Sequence, residues 1–123
     1  MGKVYKDIYT TYFMISIIIT SYYEPKTIGK AIEGFLNQKI KEPYELYVCA
    51  PDNETLNIAK GYGVKTLKDP GTGKTNAINL LLPKLKGDII ILSDGDVYTF
   101  GNSVNMILKQ LYNKNSLPYN QYI

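Results

Sequence analysis

The sequence predicts an α/β protein: a Rossmann-like open parallel sheet with helices on both faces. Three observations carry that prediction. "MISIIIT" (Met14–Thr20) and "DIIILSD" (Asp88–Asp94) are continuous, largely β-branched apolar runs, the mark of strands buried on both faces. Between the strand-like runs lie stretches whose apolar residues recur at helical spacing. The two kinds alternate four times within 123 residues, enough for one domain around one core.

Taken in order, residues 1–13 form an N-terminal arm or short amphipathic helix ahead of the organised part. The first strand is Met14–Thr20, and "SYYEPK" breaks it. Ile28, Ala31, Ile32, Phe35 and Leu36 then predict a helix from about Thr27 to Gln38. "YELYVCA" (Tyr44–Ala50) is the second strand. "PDNETLNIAKGYG" reads as a turn and a short helix, with Asp52 or Asn53 as N-cap and a glycine stop. "VKTL" is a short third strand. After the loop "DPGTGKT" (69–75), "NAINLLL" is a helix ending near Pro83. The fourth strand is Asp88–Asp94. "GNSVNMILKQLY" is the last helix, with Val104, Ile107, Leu108 and Leu111 on one face. The domain thus spans 14–112, and 113–123 is expected to be a loosely held tail.

Composition removes several chemistries. All 14 basic residues are lysines, and there is no arginine, histidine or tryptophan. A His-based triad, an HExxH zinc site and an arginine finger are therefore excluded. Lysines interspersed with acids form no basic stripe, so no nucleic-acid partner is expected. No apolar run is long enough for a transmembrane segment. Cys49 is alone, which points to a cytoplasmic location without disulfides.

Right-handed crossovers place such strands in the order 3-2-1-4, with ligands at the carboxyl ends of the first and fourth strands. Those ends carry Thr20–Glu24 and Ser93–Asp96. "GTGKT" invites a P-loop ATPase reading, but the first Walker glycine would fall on Lys68, where a side chain disturbs the phosphate turn. In "LSDGDV", Asp94 and Asp96 stand two apart, so in an extended segment both carboxylates face one cation. Gly95 between them permits an unusual backbone angle and close ligand approach. Two hard oxygen donors with substrate phosphates suit Mg²⁺ or Mn²⁺. The alternative is a polar turn in which Asp94 caps backbone amides.

"ISIIITSYYEPKTIGKAIEGFLNQ", "YELYVCAPDNET" and "GKTNAINLLLPKLKGDIIILSDGDV" together resemble the N-terminal half of a family 2 glycosyltransferase with the GT-A fold, from about Met14 to Val97. The resemblance implies that Thr20, Ser21, Tyr22 and Glu24 line the nucleotide, with Tyr23 where the family usually has Asn. It implies base recognition by Asp52, for which an ordinary N-cap is the alternative. It places Lys74 near the nucleotide, for which a solvated helix-start lysine is the alternative; Tyr22 could equally be a packing tyrosine. It makes Asp94 and Asp96 the D-x-D metal ligands, with Asp94 also near the nucleotide-sugar. The implied activity is transfer of a sugar from a nucleoside-diphosphate sugar, a UDP-sugar foremost, to an acceptor hydroxyl. No Asp or Glu follows Asp96, so no general base is visible. A minimal or truncated enzyme completed by an oligomer or partner subunit, and a non-catalytic nucleotide-sugar-binding module, both stay open.

Overall fold

A computed structural model describes residues 14–113; the expected arm at 1–13 and the tail from 114 onward lie outside the described residues. The elements are β1 (Ile15–Thr20), α1 (Ile28–Leu36), β2 (Tyr44–Ala50), α2 (Asn53–Gly61), β3 (Lys65–Lys68), α3 (Lys74–Leu81), β4 (Ile89–Asp94) and α4 (Ser103–Asn113). A single 3-10 turn at Leu82–Lys84 follows α3, where Pro83 cannot continue the α-helical ladder. The last helix takes in Asn113, the first residue assigned to the tail.

The four strands are parallel in the order β3-β2-β1-β4, as the crossover rule predicts. β1 is central and fully buried, which is why its run is apolar on both faces. Ile15, Ile17 and Ile19 project into the main core with Ile28, Ile32 and Phe35 of α1, Leu56 and Ala59 of α2, and Val104 and Leu108 of α4. The opposite face is covered by α3, whose buried residues are Ala77 and Leu81. Each fully buried Ile or Leu contributes about 2 kcal/mol through removal from water.

Buried polar groups pin the elements to one another. Gln38 follows α1 and donates to Gly34 O at 3.0 Å and Ser103 Oγ at 3.0 Å, while its Oε1 accepts from Val104 N at 3.0 Å. It thereby joins the end of α1 to the start of α4. On the α3 face, Ser16 Oγ donates to Glu45 Oε2 at 2.6 Å, and that carboxylate also takes Lys86 N at 2.6 Å and Lys65 Nζ at 3.0 Å. This cluster clamps the segment entering β4 beneath the sheet.

One expectation changes. The apolar run of β4 predicts a strand buried on both faces, but at the edge that the strand order gives it only Ile91 is buried and Leu92 is half exposed. Its composition is that of an interior strand, yet no described residue covers its outer side.

Candidate functional site

The carboxyl ends of β1 and β4 are neighbours, with Thr20 opposite Asp94 in the register. Thr20 Oγ1 donates to Asp94 Oδ1 at 3.3 Å, and Gly95 N donates to Thr20 O at 2.9 Å. Above them opens a cavity of about 510 Å³ lined by Thr20, Ser21, Tyr22, Glu24, Asp69, Gly71, Gly73, Lys74, Ala77, Asp94 and Asp96. The topology thus brings together every residue expected at the site except Asp52.

The D-x-D turn is held from three sides. Val97 N donates to Asp94 O at 3.1 Å, closing a tight turn, so Gly95 and Asp96 are not extended as the alternation argument assumed. Both carboxylates nevertheless line the same cavity. Thr27 occupies the N-cap of α1 but makes no side-chain cap; its hydroxyl donates instead to Gly95 O at 2.8 Å. Gly95 is absent from the positive-φ glycines, so the unusual backbone angle expected there does not occur. The position requires glycine for another reason: a Cβ would collide with Ser21 Oγ and sit 2.7 Å from Glu24 Oε1. The first loop and the aspartate turn are packed flush.

That loop has its own supports. Ser21 Oγ donates to Glu24 Oε1 at 2.7 Å, and Glu24 N donates to Thr55 Oγ1 at 3.1 Å. Asp52 is the N-cap of α2, its Oδ2 accepting Thr55 N at 3.1 Å. Its Oδ1 accepts Tyr23 N at 3.0 Å. Burial alone would raise the Asp52 carboxyl, but the bonds from the Thr55 hydroxyl and amide and the Tyr23 amide hold it below the ordinary range. Asp52 therefore reaches the cavity through Tyr23 and does not line it. Tyr23 itself has φ +53, an uncommon conformation for a side chain of its size. Tyr22 and Tyr23 stand largely exposed at the rim with rings edge to face, 4.8 Å between centroids.

The loop from β3 to α3 closes the other wall. Asp69 is buried; its Oδ1 accepts Gly71 N at 2.7 Å and its Oδ2 accepts the Cys49 thiol at 3.4 Å. Burial and then the Asp69 charge push the Cys49 thiol up to about 12, so it stays protonated and is no nucleophile at neutral pH. An amide of "DPGTGKT" thus points at an anion of the protein. Lys68, where a Walker loop would have its first glycine, ends β3 and donates to Asn53 Oδ1 at 3.0 Å. Neither feature makes a phosphate cradle. Lys74, the first residue of α3, donates to Asp94 Oδ1 at 2.5 Å, with both side chains about half exposed.

Asp69 and Thr27 were missed in the sequence. Asp69 directly follows β3 on the same rim of the sheet, and that position was the available signal. Thr27 reads only as the start of a helix, and nothing in the chain indicates that its hydroxyl turns to the distant carbonyl of Gly95. Among the described residues no three His, Cys, Asp or Glu side chains converge on a metal position. Protein donation would come from Asp94 and Asp96. That set fits Mg²⁺ or Mn²⁺, which take one or two carboxylates and complete their shell with phosphate and water oxygens.

An open parallel sheet in the order β3-β2-β1-β4, with an acidic, lysine-bearing cavity at its winding reversal, defines a Rossmann-like α/β domain. The chain belongs to glycosyl transferase family 2, whose model matches residues 16–117. Among curated proteins none matches the sequence significantly. Solved structures share the GT-A fold. TarS of S. aureus superposes with a TM-score of 0.71 at 18% identity over 83% of this chain, and its residue 1–349 form is solved with UDP. A mannosyltransferase of Pyrobaculum calidifontis, PcManGT, solved with GDP-Man and Mn²⁺, gives 0.62 at 19% identity over 72%. A CMP:2-keto-3-deoxy-manno-octonic acid synthetase complexed with CTP gives 0.68 at 18% over 85%. The chain spans 20% of TarS, 29% of PcManGT and 50% of the synthetase. No described helix is long and apolar enough to cross a membrane.

Proposed function

We propose that this chain provides the donor site of a glycosyltransferase, binding a nucleoside-diphosphate sugar together with Mg²⁺ or Mn²⁺. The supporting observation is the cavity across the β1 and β4 ends, which gathers Asp94, Asp96 and Lys74 in a family 2 chain. Asp94 and Asp96 hold the cation. When bound, the cation offsets charge on the leaving nucleoside diphosphate. Lys74 faces the diphosphate. Thr20, Ser21 and Tyr22 line the nucleoside side, with the Tyr22 ring as a stacking surface. Glu24 braces Ser21, and Asp52 acts at one remove by fixing Tyr23. Uridine is the first base to test, guanosine the second, because neighbours are solved with UDP and with GDP-Man.

Transfer also requires a base for the acceptor hydroxyl. A second reading is a nucleotide-sugar-binding module, which would hold the donor in this cavity without transferring the sugar. Under the first reading, that base comes from further sequence, an oligomer or a partner subunit.

Calorimetric titration with UDP, GDP, CDP and dTDP, with and without Mn²⁺, tests the donor site. One diphosphate should bind in a Mn²⁺-dependent way, and Asp96→Asn should weaken it at least tenfold. Metal-independent binding that survives Asp96→Asn would refute the assignment. Release of free sugar from the matching conjugate, or its transfer, then separates enzyme from binding module.

A further inference from the structure

We propose that the Lys74 ammonium is a resident counter-ion of Asp94, which a donor diphosphate draws away so that cation and nucleotide bind as a pair. This rests on the donor-site reading above and adds an order of events to it.

Three observations carry it. Lys74 Nζ lies 2.5 Å from Asp94 Oδ1, an oxygen that also accepts from Thr20 Oγ1 at 3.3 Å. That oxygen is occupied, and the ammonium beside it repels a divalent cation. Second, Lys74 is the first residue of α3, where a cation opposes the helix dipole. Its placement there is offset by the carboxylate across the cavity. Third, Gly73 at the N-cap makes no side-chain cap hydrogen bond, so the first turn of α3 offers amides beside the same ammonium. An arriving diphosphate would meet both and compete with Asp94 for Lys74.

Lysine suits such an exchange, being a flexible stem with three rotatable donors. The cation set is correspondingly thin. It comprises Asp96 and an Asp94 already paired, with no third His, Cys, Asp or Glu among the described residues. A cation alone must displace Lys74 and gains few ligands. A cation arriving with a diphosphate brings oxygens for itself and an anion for Lys74. Coupling of this kind is reciprocal: each ligand tightens the other by the same factor.

The test follows free Mn²⁺ by its electron paramagnetic resonance signal. Wild type, Lys74→Met, Lys74→Gln and Asp96→Asn are titrated with and without UDP or GDP, each variant first checked for a cooperative unfolding transition. In wild type, Mn²⁺ alone should bind weakly and at least tenfold more tightly with the diphosphate. Lys74→Met and Lys74→Gln should bind Mn²⁺ alone about tenfold more tightly than wild type, with the diphosphate coupling reduced. Asp96→Asn should lose Mn²⁺ binding in both conditions. If the Lys74 variants bind Mn²⁺ alone no better than wild type while wild type still takes Mn²⁺ with the diphosphate, the counter-ion role is wrong and the donor site stands. If no protein takes Mn²⁺ with either diphosphate, both are wrong.

Discussion

Tyr23 shows how a single residue carries the tension between fold and site. Its φ of +53 is costly for a bulky side chain, and its amide is held by Asp52, which simultaneously caps α2. The resemblance noted in the sequence has Asn at this position, and Asn tolerates left-handed backbone. Tyr23→Asn should therefore stabilise the domain by about 1 kcal/mol, read as a rise of roughly 5 °C in the thermal midpoint. An unchanged or lower midpoint would mean that the exposed Tyr23 ring contributes packing that outweighs the strain. Gly95 makes the complementary point. From sequence it looked like a residue chosen for backbone freedom, whereas the structure requires it for the space taken by Ser21 and Glu24. Contacts between loops 70 or more residues apart leave no local trace, so the residue type was legible and its reason was not.

At the scale of elements, the clamp on the α3 face has a pH signature. Burial works against the ionised Glu45, but the Lys86 amide, the Ser16 hydroxyl and Lys65 outweigh it and hold the carboxyl below its ordinary 4.5. A carboxyl whose folded value is depressed contributes stability that is full above its unfolded value and lost as pH falls through the folded one. Asp52 has the same sign. Urea midpoints measured from pH 7 to 3 should fall for wild type below about pH 4.5. Glu45→Gln should be less stable at pH 7 by about 1–3 kcal/mol, with the gap closing on acidification. A pH-independent gap would show that Glu45 acts by packing alone. Most of these elements were legible because their signals are local: the pattern gives β2 as Tyr44–Ala50, as observed, and leaves the α2 cap between Asp52 and Asn53, of which the structure has Asp52. The exposure of β4 was not, because "IIIL" reads the same whether a neighbour covers it or not. The tight turn at Asp94–Val97 stood only as the alternative to an extended segment, since alternation along a strand cannot say where the strand stops.

For the whole molecule, topology does what no motif could. The order β3-β2-β1-β4 sets Thr20 beside Asp94 and folds the β3–α3 loop over them, gathering into one cavity residues that span 20 to 96. The rim was legible from the crossover rule, and the aspartate pair from its place at the strand end. Asp69 and Thr27 became visible only in three dimensions. In the function proposed above, a nucleoside diphosphate and a divalent cation share this cavity. At 13.9 kDa the chain suits amide NMR, and Mn²⁺ broadens resonances close to it. Substoichiometric Mn²⁺ added with UDP or GDP should broaden the amides of Thr20–Glu24, Gly73, Lys74 and Gly95 first, and far less without the diphosphate. Broadening centred elsewhere, or none with either diphosphate, would contradict the account.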